Sequence, residues 1–287
     1  MIYSVINMDI VGSRKLKDRV SIQDSLKLYF DELNIKYSDV LATNITFTLG
    51  DEWQIILKSP EESYNIINEI NIYLQSLNIK SYSGIGFGTI STKIYNTTSE
   101  MDGEAFIYAR KALNIAKGKG NNLNSKLNKV FFKANPCYFF KEEDSFKEVA
   151  LTSLDEEAST VGSLNNIINV LIENTEILFN KITPKQLETI LFYENLKSYS
   201  KMVDEGVANS KSSISQKLNA AEYFVFNNNK KYIKQLLSLY IFNMSKESIY
   251  WLIQYLYSHL YLIYLGTLYF NQIQLLKEDY LYNMKES

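Results

Sequence analysis

The sequence predicts an α+β protein whose first half mixes strands with helices and whose second half is helical. Short β-branched and glycine-rich runs alternate with helical patterns up to about residue 133. After Leu164 only helical patterns and helix-start signals remain. A mixed, acidic stretch separates these parts. The predicted division is a mixed domain at 1–135, a linker or edge element at 136–163, a helical domain at 164–245 and a hydrophobic helix region at 246–287.

The first half contains a buried strand, a helix, a hairpin, a second helix and further strand and helix segments. We interpret this order as βαββαβ, the split βαβ or ferredoxin-like arrangement. The first helix places apolar residues at Val20, Leu26, Leu28, Phe30 and Leu33. Ser59-Pro60-Glu61-Glu62 has the pattern of a capped helix start. The predicted bounds are strands at 3–11, 45–49, 53–57, 82–91 and 129–133, and helices at 20–35, 59–77 and 102–117.

Composition excludes several classes of protein. The net charge of −2 gives no whole-molecule attraction to nucleic acid or membrane. A single cysteine, Cys137, excludes an internal disulfide, and with a single histidine, His259, it argues against a structural zinc site. The N-terminus has no basic leader and no small-residue cleavage site, so we expect a cytoplasmic location.

The segment from Ser248 to Leu276 contains no Asp, Glu, Lys or Arg. It is long enough to span a bilayer as a helix. Its amide and hydroxyl side chains would each need a hydrogen-bond partner in hydrocarbon, which makes a single span costly. A buried or dimerising helix pair is therefore favoured, and a membrane anchor is the alternative.

Two aspartates are expected at one edge of the sheet. The first and third strands of a ferredoxin-like sheet are antiparallel neighbours, so Asp9 at the end of one lies beside Asp51 in the turn leading to the other. Carboxylates, with the backbone carbonyl of Ile10, are oxygen ligands suited to Mg²⁺ or Mn²⁺ with bound phosphates. The alternative is that Asp9 caps a turn and Asp51 is an ordinary hairpin residue.

These motifs resemble known nucleotide-binding families. Asp9 to Ser13 is similar to the first metal motif of class III nucleotidyl cyclases, and Leu49 to Trp53 resembles their second motif and that of GGDEF diguanylate cyclases. Gly84 to Gly88 resembles their glycine-rich strand, and Arg110 stands where they keep an arginine that braces the transition state. The chain also resembles the SatD family of bacterial proteins, which combine such a half with a C-terminal helix-turn-helix.

The resemblance implies a cyclase-type palm that binds metal through Asp9, Ile10, Asp51 and Glu52, with Asp9, Asp51 and Arg110 as catalytic residues. Glu52 is either a third metal ligand or solvated. Phe47 and Phe106 replace the lysine and asparagine of active cyclases, so a purine has no evident hydrogen-bond donor, while stacking on an aromatic ring stays open. The candidate nucleotide-binding residues are Gly12, Ser13, Arg14, Phe47, Phe106 and Arg110.

The helical half contains a helix-turn-helix pattern. Thr183-Pro184-Lys185-Gln186 starts a helix that buries Leu187, Ile190 and Leu191, and a turn at Gly206 precedes a helix opened by Ser210. Lysines outnumber acids nine to five between residues 181 and 234. The alternative is a three-helix scaffold that does not touch DNA. The candidate DNA-binding residues are Ser210, Lys211, Ser212, Ser213, Ser215, Gln216 and Lys217.

Three functions remain open from the sequence. The preferred one is a nucleotide-responsive transcription regulator that binds DNA. The alternatives are an active nucleotidyl cyclase or oligonucleotide synthase using two divalent metals, and a membrane-attached signalling protein. The resemblance also implies a homodimer.

Overall fold

A computed structural model describes residues 1–118, 129–137 and 163–245 of the chain. The chain divides into two compact units, Met1–Ile241 and Phe242–Ser287. Within the described ranges, no helix is both long and apolar enough to cross a membrane. The predicted linker at 138–162 and the uncharged segment from Ser248 to Leu276 lie outside the described residues.

The first unit contains a five-stranded sheet and its helices. The elements are β1 (Tyr3–Ile10), α1 (Arg19–Lys36), β2 (Thr46–Leu49), β3 (Glu52–Leu57), α2 (Ser63–Ser76), β4 (Ser81–Gly88), α3 (Glu104–Ala116) and β5 (Lys129–Lys133). The strand order in the sheet is β2-β3-β1-β4-β5. β1 is antiparallel to both of its neighbours, β3 and β4, and β5 runs parallel to β4. The predicted βαββαβ order therefore lacks one helix and one strand, because α3 and β5 follow β4 and extend the sheet.

One face of the sheet is covered closely by α3. The three glycines of β4 lie opposite Tyr3, Val5 and Asn7 of β1, and so share that face. A Cβ atom on Gly86 would lie 2.1 Å from the backbone nitrogen of Ala109 and 2.3 Å from the carbonyl oxygen of Ala105. The glycine-rich strand therefore brings the α3 backbone unusually close to the sheet.

The opposite face packs against α1 and α2. The ring centroid of Phe30 on α1 lies 5.5 Å from that of Trp53 on β3. On α2, the Ser63 hydroxyl donates to the Ser4 hydroxyl at 2.7 Å. This face carries the aliphatic core of β1 and β3, since Ile6 and Ile55 are fully buried.

One predicted helix start is wrong, and the apolar pattern of the first helix is only partly buried. On α1, Val20 and Leu28 are 71% and 69% exposed, because the helix turns about 100° per residue and presents Leu26, Phe30 and Leu33 to the core instead. Ser59 makes no capping hydrogen bond; Pro60–Glu62 form a 3₁₀ turn, and α2 begins only at Ser63.

The helical part consists of four helices followed by a long one. They are α4 (Leu164–Lys181), α5 (Pro184–Leu196), α6 (Tyr199–Asp204), α7 (Lys211–Ala220) and α8, which begins at residue 223. The predicted helix starts are confirmed: Thr183 and Gln186 form a capping box, and the Ser210 side chain accepts a hydrogen bond from the Ser213 backbone. A shared core includes Phe179, Ile190, Met202, Ile214, Leu218 and Phe226.

Leu191 differs from the prediction that it is buried. It is 44% exposed, because it follows the buried Ile190 by one residue and so turns away from the core of α5–α7. It lines the space between α5 and α2 instead.

Several polar contacts join the helical part to the sheet. The Asn169 side chain donates to the carbonyl of Phe132 at 2.9 Å and accepts from its amide at 2.8 Å. Both backbone groups of Phe132 on β5 are therefore hydrogen-bonded. The Tyr64 hydroxyl donates to Glu176 at 2.8 Å, and the Gln75 amide donates to the carbonyl of Ile182 at 2.9 Å. Both ends of α2 are thus attached to the C-terminal part of α4.

Candidate functional site

Three carboxylates are located where β1 ends and the β2–β3 hairpin turns. Asp9 on β1 and Glu52 on β3 are paired across the strands, so their side chains leave the same face of the sheet. Asp51 precedes Glu52 in the hairpin turn, and its backbone carbonyl accepts a hydrogen bond from the Ile10 amide at 3.2 Å. We call Asp9, Asp51 and Glu52 the edge site.

Asp51 is held by the loop after β1 and by the start of α1. The buried Ser13 hydroxyl donates to Asp51, and the Arg19 guanidinium lies 3.5 Å from its second oxygen. Gly12 adopts φ +68°, a conformation that side-chain-bearing residues rarely adopt, and no atom lies within 4 Å of where its Cβ would be. Glycine is therefore needed here for the backbone turn that delivers Ser13.

The start of α1 also holds the hairpin turn directly. The Gln23 side-chain amide donates to the carbonyl of Gly50. Since Arg19 and Gln23 are four residues apart, they lie on one side of the first turns of α1. Together they fix the turn that carries Asp51.

The remaining two carboxylates are paired with cations from α3. Arg110 lies 2.6 Å from the carboxylate of Glu52, and the Lys117 ammonium contacts Asp9. Arg110 and Lys117 are seven residues apart, which places them on one side of α3 two turns from each other. Glu52 is buried, so the alternative that it is solvated is wrong.

Each carboxylate of the edge site therefore has its own cation. The side chains of Glu52, Asp9 and Asp51 are 8%, 18% and 30% exposed, so Asp51 is the most accessible of the three and Glu52 the least. Among the described residues, no three Asp, Glu, His or Cys side chains are grouped so that they could hold a metal ion together.

Residues 3–135 match the family model described as the SatD family. This part of the chain is therefore similar to the SatD family. The matched region contains the whole edge site together with the cations that pair with it. No curated protein matches the chain.

The predicted nucleotide-binding residues do not all lie together within the matched region. Gly12, Ser13 and Arg110 lie at the edge site, and Arg14 is an exposed residue in the following 3₁₀ turn. Phe47 pairs with Trp53 across the hairpin, so its side chain leaves the face opposite to Glu52, and it contacts the ring of Phe30.

Phe106 lies on α3, four residues before Arg110. It is partly buried and packs against the core cluster that contains Val5, Ile56 and Ala109. Packing in that cluster accounts for its aromatic side chain without a ligand.

The sequence did not predict two residues that contact the edge site, Lys117 and Arg19, or Gln23, which holds the hairpin turn beside it. Lys117 opens the sequence Lys117-Gly118-Lys119-Gly120, which is typical of a helix end. Its spacing of seven residues from Arg110 is the signal that places it on the same side of α3. For Arg19 and Gln23, the spacing of four at the start of α1 shows a shared side, but no local pattern indicates that this side meets the hairpin turn.

The predicted DNA-binding residues all lie at the surface of α7 or at its start. Lys211, Ser212 and Gln216 are exposed, while Ile214 and Leu218 on the other side of the helix are fully buried. Ser213, Ser215 and Lys217 are half-buried, and Ser210 caps the helix. The chain therefore presents a polar helix face next to a turn at Gly206, where φ is +76°.

Proposed function

We propose that the protein is a nucleotide-responsive transcription regulator. A metal–nucleotide complex binds the edge site of a cyclase-type palm, and a helix-turn-helix formed by α5, α6 and α7 binds DNA. The observation that carries this proposal is the pairing of Asp9, Asp51 and Glu52 with three separate cations at one sheet edge. In such a set the carboxylates would bind the metal ion of a metal–phosphate complex, and the cations would bind its phosphate groups.

The sheet topology supports the palm interpretation. Strands β2, β3, β1 and β4 are adjacent in that order, and each neighbouring pair is antiparallel. This is the order of a ferredoxin-like βαββαβ domain, to which α3 and β5 are added. By the resemblance of their motifs, Asp9 and Asp51 would correspond to the metal ligands of class III cyclases.

Asp9 and Asp51 would hold Mg²⁺ or Mn²⁺, with Glu52 remaining on Arg110. The ion would neutralise part of the phosphate charge when bound. Lys117 and Arg19, released from Asp9 and Asp51, would then be free to bind phosphate oxygens. A planar guanidinium suits phosphate because it donates from several N–H groups in a fixed geometry.

The helical part supports DNA binding through its surface. The third helix of the candidate helix-turn-helix, α7, buries Ile214 and Leu218 and exposes Lys211, Ser212 and Gln216, with Lys217 half-buried beside them. These are side chains that contact phosphates and base edges. The excess of lysine over acid in this region provides the local positive charge that the whole chain lacks.

A physical connection between the two parts supports regulation. Gln75 at the end of α2 donates to the carbonyl of Ile182, which directly precedes the capping box of α5. A shift of α2 relative to the sheet would therefore move the start of the helix-turn-helix. Homodimerisation, expected from the resemblance to class III cyclases, belongs to the same proposal.

An active nucleotidyl cyclase or oligonucleotide synthase is the second candidate. It is favoured by Arg110, which reaches the edge site from α3 as a transition-state arginine would. It is disfavoured by Phe47, whose side chain leaves the opposite face of the sheet and cannot select a base beside Asp9.

One experiment separates these functions. The purified full-length protein is incubated with Mg²⁺ or Mn²⁺ and each of the four nucleoside triphosphates, and mass spectrometry measures both retained ligand and product. Retention of an unchanged nucleotide, together with DNA binding that this nucleotide alters, supports the regulator. Turnover to a cyclic or oligomeric product supports the enzyme. No retention and no product with any triphosphate would contradict both.

A further inference from the structure

A cavity of about 580 Å³ lies between the sheet part and the helical part of the first unit. Residues of α1, α2, α5 and α8 line it, so it lies on the side of the sheet opposite to α3. The edge-site carboxylates Asp9 and Glu52 leave the α3 face. The cavity is therefore separate from the edge site, and its volume falls in the range of small-molecule sites.

Lys230 on α8 lines this cavity, and its charge has no direct partner. The residue is half-buried, and its ammonium lies 5.4 Å from the centre of the Phe226 ring. It forms neither an ion pair nor a hydrogen bond with any described residue. Burial lowers the pKa of this ammonium, and the attraction of Glu194 and Glu69 offsets only part of that effect. A carboxylate brought by a ligand would supply the missing counter-ion.

Glu194 on α5 is the complementary group of the lining. It is half-buried as well, and its carboxylate attracts the Lys230 ammonium without making a direct ion pair with it. Neither group is among the fully buried polar atoms without a partner, so both keep surface that a ligand can reach. The cavity therefore presents one cation and one anion with a gap between them.

The other charges at the cavity are already neutralised. Glu69 is paired with Lys36 at 2.6 Å, and Glu62 is paired with Lys234. These pairs leave no excess charge of either sign, which disfavours a ligand with a large net charge, such as a triphosphate. A fitting ligand carries one anionic and one cationic group, close enough together to enter the gap between the two unpaired groups.

The remaining wall is suited to an apolar side chain. Ile72 on α2 and Leu187 and Leu191 on α5 line the cavity. Leu191 is 44% exposed, so an occupant would remove apolar surface from water. The rings of Tyr29 and Tyr73 stack on each other with centroids 3.9 Å apart, so they form a closed wall and leave no slot for a third ring between them.

We infer that this cavity binds a free α-amino acid with an apolar side chain. Lys230 binds its carboxylate, Glu194 binds its ammonium, and the leucines of α5 contact its side chain. Both charged groups of an α-amino acid are attached to one carbon atom, so together they bridge a gap that the two side chains do not close directly. Since the walls come from α2 and from α5, the bound amino acid stabilises the contact between the sheet part and the helical part. The site requires neither a metal ion nor a nucleotide.

Calorimetry on the full-length protein, without metal or nucleotide, tests this inference. Leucine, methionine and phenylalanine are the probes, and glycine, which lacks an apolar side chain, is the control. At least one of the probes is expected to bind better than glycine. The deaminated and the decarboxylated analogues of the tightest binder (isocaproate and isoamylamine for leucine) should each bind at least about tenfold more weakly, because each loses one charge-assisted contact.

Two substitutions assign the two contacts separately. Lys230→Met should bind the amino acid no better than its decarboxylated analogue, because the carboxylate has lost its partner. Glu194→Gln should bind the amino acid no better than its deaminated analogue, because the ammonium has lost its partner. Both variants should keep the melting temperature of the wild type or exceed it, since each removes a partly buried charge without a direct partner.

Lys231→Met and Glu188→Gln are the matched controls, because they are exposed residues of the same two helices. Both should bind the amino acid as the wild type does. Asp9→Ala should do so too, which separates this site from the edge site. The inference is overturned if no probe binds better than glycine, if Lys230→Met or Glu194→Gln binds the amino acid as tightly as the wild type, or if the two controls weaken binding equally.

Discussion

Asp9 and Glu52 stand directly opposite each other on β1 and β3, and each contacts a different cation of α3. Two like charges at facing positions of a sheet repel each other. Lys117 and Arg110 offset that repulsion, and their spacing of two helical turns allows one helix to reach both carboxylates. A ligand at this edge must therefore replace these contacts with its own charges, which favours one that brings a cation and an anion together.

Replacing Asp9 or Asp51 with alanine should abolish divalent-dependent binding of nucleoside triphosphates, because each change removes one of two accessible anionic ligands. Both variants should remain folded, since neither side chain belongs to the hydrophobic core. Calorimetry with Mg²⁺ and each triphosphate measures the affinity, and circular dichroism checks the fold. Asp39→Ala, an exposed carboxylate on the sheet part, is the control and should bind as the wild type does. Equal affinity in the wild type and both edge-site variants would remove the metal assignment.

Arg110→Met should destabilise the protein by about 1–3 kcal/mol, because it leaves the buried Glu52 carboxylate without its cation. Adding Glu52→Gln in the same chain should recover most of that loss, since the neutral amide no longer needs a counter-charge. Urea unfolding of the wild type, both single variants and the double variant gives the coupling energy. Strictly additive losses would show that the contact at 2.6 Å contributes nothing to stability.

Most strands and helices could be predicted because they depend on local sequence patterns. The strands alternate or are glycine-rich, and the helix starts at Thr183 and Ser210 need only neighbouring residues. The position of Asp51 beside Asp9 could also be predicted. Asp51 lies in the hairpin turn, and the antiparallel pairing of the first and third strands follows from the element order. These features require no knowledge of distant contacts.

The features that escaped prediction depend on register or on packing between elements. Phe47 is two residues from the turn, but only its pairing with Trp53 decides which face of the sheet it occupies. Lys117 ends a helix, and its contact with Asp9 depends on how closely α3 approaches the glycines of β4. Leu191 matches the apolar pattern of α5, yet it lies toward a cavity that the sequence does not reveal.

Glu176 should make stability depend on pH. The residue is buried, its Oε1 atom accepts from the Tyr64 hydroxyl at 2.8 Å, and burial raises its pKa from 4.5 to about 7. Between these two values the folded protein holds a proton that the unfolded chain releases. The contribution of Glu176 to stability therefore falls as pH rises from about 4.5 to about 7, by on the order of 3 kcal/mol.

Glu176→Gln should remove that dependence. The variant should be more stable than the wild type at about pH 8, and the difference should shrink toward about pH 5, where the wild-type carboxyl keeps its proton in the folded state. Urea unfolding at both pH values measures the change. Glu173→Gln, an exposed position on the same helix, is the control and should follow the wild type. A constant difference between Glu176→Gln and the wild type at both pH values would contradict the raised pKa.

The final prediction concerns DNA binding by α7. If this helix enters the major groove, Lys211 and Lys217 contact phosphates, while Gln216 contacts a base edge. Changing both lysines to alanine should weaken binding to all sequences similarly and lower the salt dependence by about one unit of log–log slope per lost phosphate contact. Gln216→Ala should cost about 1–3 kcal/mol at the preferred site and relax the preference at one base pair.

Fluorescence titrations at several salt concentrations separate these two effects. The matched control is Lys80→Ala with Lys93→Ala, because both residues are exposed on the sheet part and the change in net charge is the same. This control should leave affinity and salt slope unchanged if the contacts are local to α7. If the control weakens binding as much as the α7 variant does, the attraction is a non-specific effect of net charge. If the wild type has no affinity for DNA at low salt, with or without nucleotide, α5, α6 and α7 form a scaffold and the enzyme becomes the better candidate.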